Sequence, residues 1–313
     1  MVKMHTFIWG IFSLFLCSYA AAQPFTADFS ALSDARRELH QEKYELFPTP
    51  PFLTVYQKGD KKLVLLAARH GAESLPSVQY AFDVYAPQVA LVEREPAEVF
   101  GGPCTEAEDS YTAALCGKWQ IPLVRADLSL EKQWQFAKEN GFSYEDWQML
   151  WMIRDGYGRA RETDQPFTPA EAIASYAKRD HHAAWGELFT EKRLNAYFKK
   201  YYKQNFAETD FIRLYQDLMN IYPEKWVTKT PFYRLNHAAG LARSRFMLQN
   251  IAAALNQYDV VFAEMGAGHY MDLVLALEKM LGDPQVIDGR RLPPQNLWKD
   301  CTVEGVEEIV LVP

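Results

Sequence analysis

Beyond its first residues the chain has no apolar run long enough to span a bilayer, which excludes an internal membrane helix. It has no excess of basic residues. Lys and Arg total 33 against 40 Asp and Glu, a formal net charge of −7, and a nucleic-acid partner would need a basic patch instead. Cysteine is scarce, at 4 residues, and its spacing matches no zinc motif. No H-E-x-x-H is present, so no compact zincin helix is predicted. No G-x-S-x-G elbow is present either, which withdraws support from a serine hydrolase. No short-period repeat runs along the chain, which argues against a solenoid.

What is present begins with an address. Lys3 supplies a positive start, Phe7 to Leu16 an apolar stretch, and Ala20-Ala21-Ala22 a small-residue cleavage site before Gln23-Pro24. Residues 1–22 are therefore predicted to be a cleavable export signal, with an uncleaved N-terminal anchor as the alternative. Cys17 follows Leu16, where a lipobox would carry a small residue, so lipidation is not predicted. The mature protein is expected in the periplasm or secreted, without a stable membrane span. In that oxidising setting Cys104 and Cys116 are placed to close a short loop, leaving Cys301 free; three unpaired thiols are the alternative.

Residues 23–50 are polar and Pro-punctuated and read as an irregular lead-in; the folded domain is expected over 51–313. Strands are predicted at Leu53–Tyr56, Lys62–Ala68, Val89–Val92 and Ile121–Val124. Helices are predicted between them, one behind a Ser74 cap and one over 106–118. Alternation of strand and helix with short connections indicates an α/β fold with a mostly parallel central sheet and flanking helices. From about 129 to 233 aromatic residues at spacings of three and four predict a large helical insertion. Sheet texture then returns: a long helix over 234–257, a strand at Asp259–Ala263, a helix over Met271–Leu281 capped by Gly282, and a last strand at Glu307–Val312.

Ligands of parallel sheets gather at the carboxyl ends of the strands. Four predicted ends carry polar groups: Arg69-His70, Glu93 with Glu95, Asp127, and Glu264 with His269. A charge at the end of an apolar strand is costly unless it is paired or ligates something. Two imidazoles with carboxylates suit a divalent cation that keeps open positions for water. His70, Glu93 and His269 are the predicted ligands, with Glu95 and Glu264 as further carboxylates, while a nearby Glu is placed to act as general base. A structural histidine is the plain alternative at each position. Asp180-His181-His182 and the pair Arg234 and His237 read as solvated surface.

Five segments together carry a family likeness: LVLLAARHGAES, YAPQVALVERE, AALCGKWQIPLVRAD, ARSRFMLQNIAAAL and VVFAEMGAGHYMDLVLAL. In content and order they resemble the TraB/TIKI (GumN-like) superfamily, which is related to ChaN-like and erythromycin esterase-like proteins. The first and last segments correspond to its two G-x-x-H motifs, with Ala67 standing where the family has glycine. The resemblance implies one site built from His70, Glu93, Arg243 and His269, with Arg245 second to Arg243 as the matching arginine. It implies an exported metal-dependent hydrolase using Mn, Co or Zn on a peptide or small-molecule substrate, with Arg243 steadying an anionic group. Two alternatives stand beside it. Arg69-His70-Gly71 also resembles the histidine phosphatase motif, in which His70 would be phosphorylated and Arg69 and Arg243 would hold phosphate. The superfamily also includes non-enzymatic proteins that bind metal or haem.

Overall fold

The structure is a computed structural model that describes residues 24–32, 47–93, 104, 107–163, 167–178, 186–220, 224–299 and 301–312. The predicted export signal and Cys17, together with Glu95 and the Asp180–His182 string, lie outside the described residues.

The apolar run KKLVLLAA forms β2 (Lys61–Ala68), joined to β1 (Phe52–Lys58) by a hairpin whose Gly59 adopts φ +60°. A tight turn between two strands makes them antiparallel, and they pair from Phe52↔Ala67 to Lys58↔Lys61. The other strands are β3 (Val89–Val92), β4 (Leu123–Arg125), β5 (Val260–Gly266), β6 (Gln285–Asp288) and β7 (Glu308–Ile309). Among the described residues they build one sheet in the order β6-β1-β2-β5-β3-β4-β7. Four of its six pairings are parallel: β2 with β5, β5 with β3, β3 with β4, and β4 with β7. The fold is α/β, as the alternating pattern predicts, with an antiparallel edge.

Both faces of the sheet are covered, which is why its central strands read as unbroken apolar runs. On one face Val64, Leu66, Ala90 and Phe262 pack under α1 (Leu75–Tyr85) and α2 (Glu108–Trp119). On the other Leu65, Leu91, Ala263 and Met265 pack under α8 (Pro231–Gln257) and α9 (Ala267–Leu281). Each fully buried Leu, Val or Phe contributes roughly 1.5–3 kcal/mol. Between β4 and α8 lie α3 (Leu130–Glu139), α4 (Tyr144–Glu162), α5 (Pro169–Ala177), α6 (Glu191–Tyr202) and α7 (Phe211–Met219). These helices bury an aromatic-rich core of their own, including Trp147, Phe198, Phe206 and Phe211. Phe232 and Leu235, at the start of α8, belong to that core, while Met247 and Ile251 farther along belong to the sheet core. A single helix therefore joins the helical insertion to the α/β layers. No helix among the described residues is long and apolar enough to cross a membrane.

Two local expectations are corrected. Ser74 does not cap α1 with its side chain; its Oγ accepts the Arg69 N–H at 3.3 Å and tightens the turn that carries His70. The disulfide is Cys104–Cys301, with Cα atoms 5.8 Å apart, and Cys116 is the buried free thiol. Cys116 lies within α2, whose residues Ser110 to Cys116 are all buried.

Candidate functional site

β2, β5, β3 and β4 are neighbours and mutually parallel, so their carboxyl ends lie along one edge. That topology delivers His70, His269, Glu93 and Asp127 together. Arg243 arrives from α8, which crosses the same edge. The structure thus brings together all four residues that the family likeness names.

Glu93 is the centre. His70 Nε2 lies 3.6 Å from its Oε2, and His269 Nε2 lies 3.6 Å from its Oε1. Arg243 Nη2 donates to Oε1 at 2.7 Å, and the Gly266 N–H donates to Oε2 at 2.6 Å. Burial alone would raise the Glu93 carboxyl, but His269, Arg243, His70 and the Gly266 amide outweigh it and hold the pKa at about 2. Arg243 also grips Asp127: its Nε donates to Oδ1 and Oδ2 at 3.0 and 2.8 Å, and its Nη2 donates to Oδ2 at 2.5 Å. Burial works against the Arg243 charge, but these two carboxylates hold it firmly protonated. Arg243 thus directs its Nε and Nη2 at the protein's own carboxylates.

Each histidine is set from behind. His70 Nδ1 lies 2.6 Å from Glu108 Oε1, while Glu108 Oε2 accepts the Gly71 N–H at 2.8 Å. Burial pushes the Glu108 carboxyl up, but the bond from His70 wins and keeps it ionised. An ionised carboxylate only accepts, so His70 Nδ1 carries the proton. His70 itself sits at φ +47°, an uncommon conformation for a residue with a side chain, at the turn that aims its ring along the edge. On the other side Ser244 Oγ donates to Asp272 Oδ2 at 3.0 Å and lies 3.0 Å from His269 Nδ1. The hydroxyl has one proton and gives it to Asp272, so His269 Nδ1 is again the donor. Burial, aided by Arg243, pulls the His269 pKa below its ordinary value and keeps the ring neutral.

The consequence is a specific electrostatic arrangement. The His269 Nε2 carries a lone pair and faces a carboxylate oxygen with no proton of its own to offer. Two ligands of one cation with bonds of about 2.1 Å lie no more than about 4.2 Å apart, and both 3.6 Å spans fall inside this reach. The carboxylate behind His70 is the kind of partner that metal-binding histidines use, and behind His269 a serine hydroxyl stands between the ring and the Asp272 carboxylate. Among the described residues no group of three His, Cys, Asp or Glu is already drawn to metal spacing. The fit is thus pairwise, His70 with Glu93 and His269 with Glu93. His70 is 40% exposed at its side chain and opens the cluster to solvent, whereas Glu93 and His269 are 13% and 12% exposed.

Gly266 makes this approach possible. A Cβ at position 266 would lie 2.6 Å from His70 Nε2 and 3.3 Å from Glu93 Oε2. The small residue that sequence reading placed beside His269 is there to admit the other histidine.

Other predicted residues lie elsewhere. Glu264 points from β5 toward α2, is 2% exposed, and accepts from Thr112 Oγ1 at 2.5 Å. It is not brought to the histidines. Arg69 lies 3.7 Å from Glu73 and is 67% exposed. Arg245 sits over the Phe29 ring, Arg234 over the Phe142 ring, and His237 stacks on Tyr233. Glu108, Ser244 and Asp272 are additions. Asp272 stands three residues after His269 on α9, which places both on one helix face; Glu108 has no comparable signal.

The chain matches no protein-family model, no curated protein and no solved structure.

Proposed function

We propose that this protein is an exported metal-dependent hydrolase, peptidases included, whose reaction centre is His70, Glu93 and His269. The observation that carries the reading is the pair of imidazole Nε2 atoms set 3.6 Å from the two oxygens of one carboxylate, each ring oriented by a bond at its other nitrogen. Those three groups would hold a divalent cation, Mn, Co or Zn. When bound, it would lower the pKa of a coordinated water and polarise a carbonyl. Arg243 and the Gly266 N–H keep Glu93 ionised and fixed. Ser244 and Asp272 keep His269 in the tautomer that presents Nε2. Glu108 keeps the proton on His70 Nδ1, so its Nε2 is the nitrogen presented to Glu93 and to a cation held there.

A second reading rests on the His70–Glu108 bond of 2.6 Å. With a carboxylate behind it, His70 could act as general base without a cation. The phosphoester alternative has less support, because Arg69 turns to Glu73 and Arg243 is committed to Asp127 and Glu93.

The test is elemental analysis of purified protein, followed by assays on peptide, ester and phosphoester substrates with and without chelator. The metal reading expects about one equivalent of a divalent ion, activity lost to chelator, and loss of both in His269→Ala. Activity that survives chelator but dies in His70→Ala would favour the general-base reading. Phosphoester turnover alone, surviving chelator and passing through a phosphorylated His70, would overturn both.

A further inference from the structure

A cavity of about 570 Å³ opens in the helical insertion, between α4 and α5. It is within the size range of small-molecule sites. Arg154 and Arg159 line it from α4 and Lys178 from the end of α5, with Phe167 and Ala174 as its apolar wall. Asp155 and Glu171 are the acidic members, so among the described lining residues three cations face two anions, a net charge of +1. Arg154 Nη2 donates to Asn236 Oδ1 on α8 at 2.7 Å, while its Nε is buried with no hydrogen-bond partner among the described residues. Arg159 Nη2 donates to Glu171 Oε1 at 3.0 Å, and its Nε is likewise buried without one.

The cavity is linked to the histidine cluster through α8. Asn236 and Arg243 are seven residues apart on that helix, which puts them on one face about 10 Å apart. Arg154 thus stands two helical turns from the guanidinium that holds Glu93. It lies in the field of that site: burial lowers its pKa, Tyr215 opposes this, Arg243 lowers it further, and Glu93 and Asp127 oppose it.

We propose that this cavity is the recognition site for a single carboxylate on the substrate, with Arg154 and Arg159 as its anion-binding groups and Phe167 against the adjoining apolar side chain. The proposal rests on the hydrolase reading for the identity of the ligand as substrate. A net charge of +1 matches one carboxylate better than a phosphate dianion. The substrate class is therefore a short peptide, or a peptide end, that presents one free carboxylate beside an apolar side chain.

The probe is the tripeptide acetyl-Ala-Ala-Phe as free acid, compared with its C-terminal amide and with inorganic phosphate. Binding is measured by calorimetry on the full chain with chelator present, so no metal-dependent step enters. The acid is expected to bind about tenfold tighter than the amide, the loss of one charge-assisted pair. Gly158 lines the cavity, and a Cβ there would meet no atom within 4 Å, so Gly158→Trp is expected to fill the space and abolish binding while circular dichroism stays native. Glu171→Gln is expected to tighten binding several-fold by releasing Arg159, a gain that misfolding would not produce. Equal binding of acid and amide, native binding by Gly158→Trp, or tighter binding of phosphate than of the acid would each overturn the assignment. With metal restored, acid-selective binding without hydrolysis would remove the hydrolase reading and leave the cavity; equal hydrolysis of acid and amide would do the reverse.

Discussion

Gly266 admits His70 to the carboxylate that His269 also faces, and its backbone φ of −55° is one that any residue adopts. Gly266→Ala therefore brings no backbone strain. Its new methyl would press on the tip of the His70 ring, whose 40% exposed side chain can yield toward solvent only by straining its 2.6 Å bond to Glu108. The expected result is a melting temperature within a few degrees of wild type with metal binding or kcat/KM reduced by about 100-fold, because a displaced ligand costs several kcal/mol at the reaction centre. Unchanged activity in a folded variant would show that His70 plays no part. Glu264 poses a different question at the same scale. Burial raises its carboxyl well above the ordinary carboxylate value, and Glu108 and Asp109 push the same way. Its Oε1 has no hydrogen-bond partner among the described residues. A raised folded pKa means that stability is fully present below the unfolded value of 4.5 and falls as pH climbs toward the folded value. Glu264→Gln removes that dependence, so it should raise the melting temperature more at pH 8 than at pH 4.5. An equal effect at both values would mean that Glu264 ionises normally. These residues also mark what sequence alone could tell. His70, Glu93 and His269 stood out because each follows an apolar strand, where a polar group needs a reason. Glu108 did not, since its carboxylate reaches His70 across 38 residues by a side-chain path that no spacing encodes.

At the scale of the element, α4 carries two glycines that answer to opposite pressures. Gly158 faces open space, whereas a Cβ at Gly156 would sit 2.5 Å from the Phe211 ring. Glycine inside a helix costs about 1 kcal/mol relative to alanine, so Gly158→Ala should stabilise the protein by up to that amount. Gly156→Ala should destabilise it by about 1–3 kcal/mol, the usual range for overpacking, because α7 must move away. Denaturant unfolding of the two single variants checks the sign of each. The ends and edges of elements were the least visible in the sequence, and the reasons differ. β5 runs three residues farther than its apolar core suggests, through Glu264, Met265 and Gly266, because pairing with β2 extends to Ala68↔Gly266. β6 escaped notice since QVID has no apolar run; its exposed Gln285 and Val286 pair with Val55 and Thr54 of β1. The long parallel strands were legible because both of their faces are buried. The antiparallel β1–β2 pair was legible as two strands, Leu53–Tyr56 and Lys62–Ala68, but was not separated from the parallel pattern beyond it.

At the scale of the whole molecule, the C-terminal segment is tied back across the sheet. β7 pairs with β4, the Trp298 N–H donates to Tyr111 Oη at 2.9 Å, and Cys301 bonds to Cys104. The disulfide spans 197 residues of sequence, so its closure restricts a very large loop in the unfolded chain. By the loop-entropy argument such a bridge contributes up to about 5 kcal/mol, and native bridges commonly give 2–5. Reduction, or Cys301→Ser, should therefore lower the melting temperature and loosen this end first, with hydrogen exchange rising in β7 before the central strands. Thiol counting ties that prediction to the export signal. In denaturant without reductant, a chain that begins after residue 22 has Cys116 as its sole reactive thiol, since Cys104 and Cys301 are bonded. A chain that keeps its first residues adds Cys17 and gives two. Peptide mapping under the same conditions decides which cysteine reacts: labelled Cys301 with Cys116 protected would restore the short loop that spacing suggests. A count of one, located at Cys116, would support both the long-range bridge and removal of the leader. Three or four would mean that the bridge does not form, and the stability assigned to it would have to come from the β4–β7 pairing and the packing around Trp298.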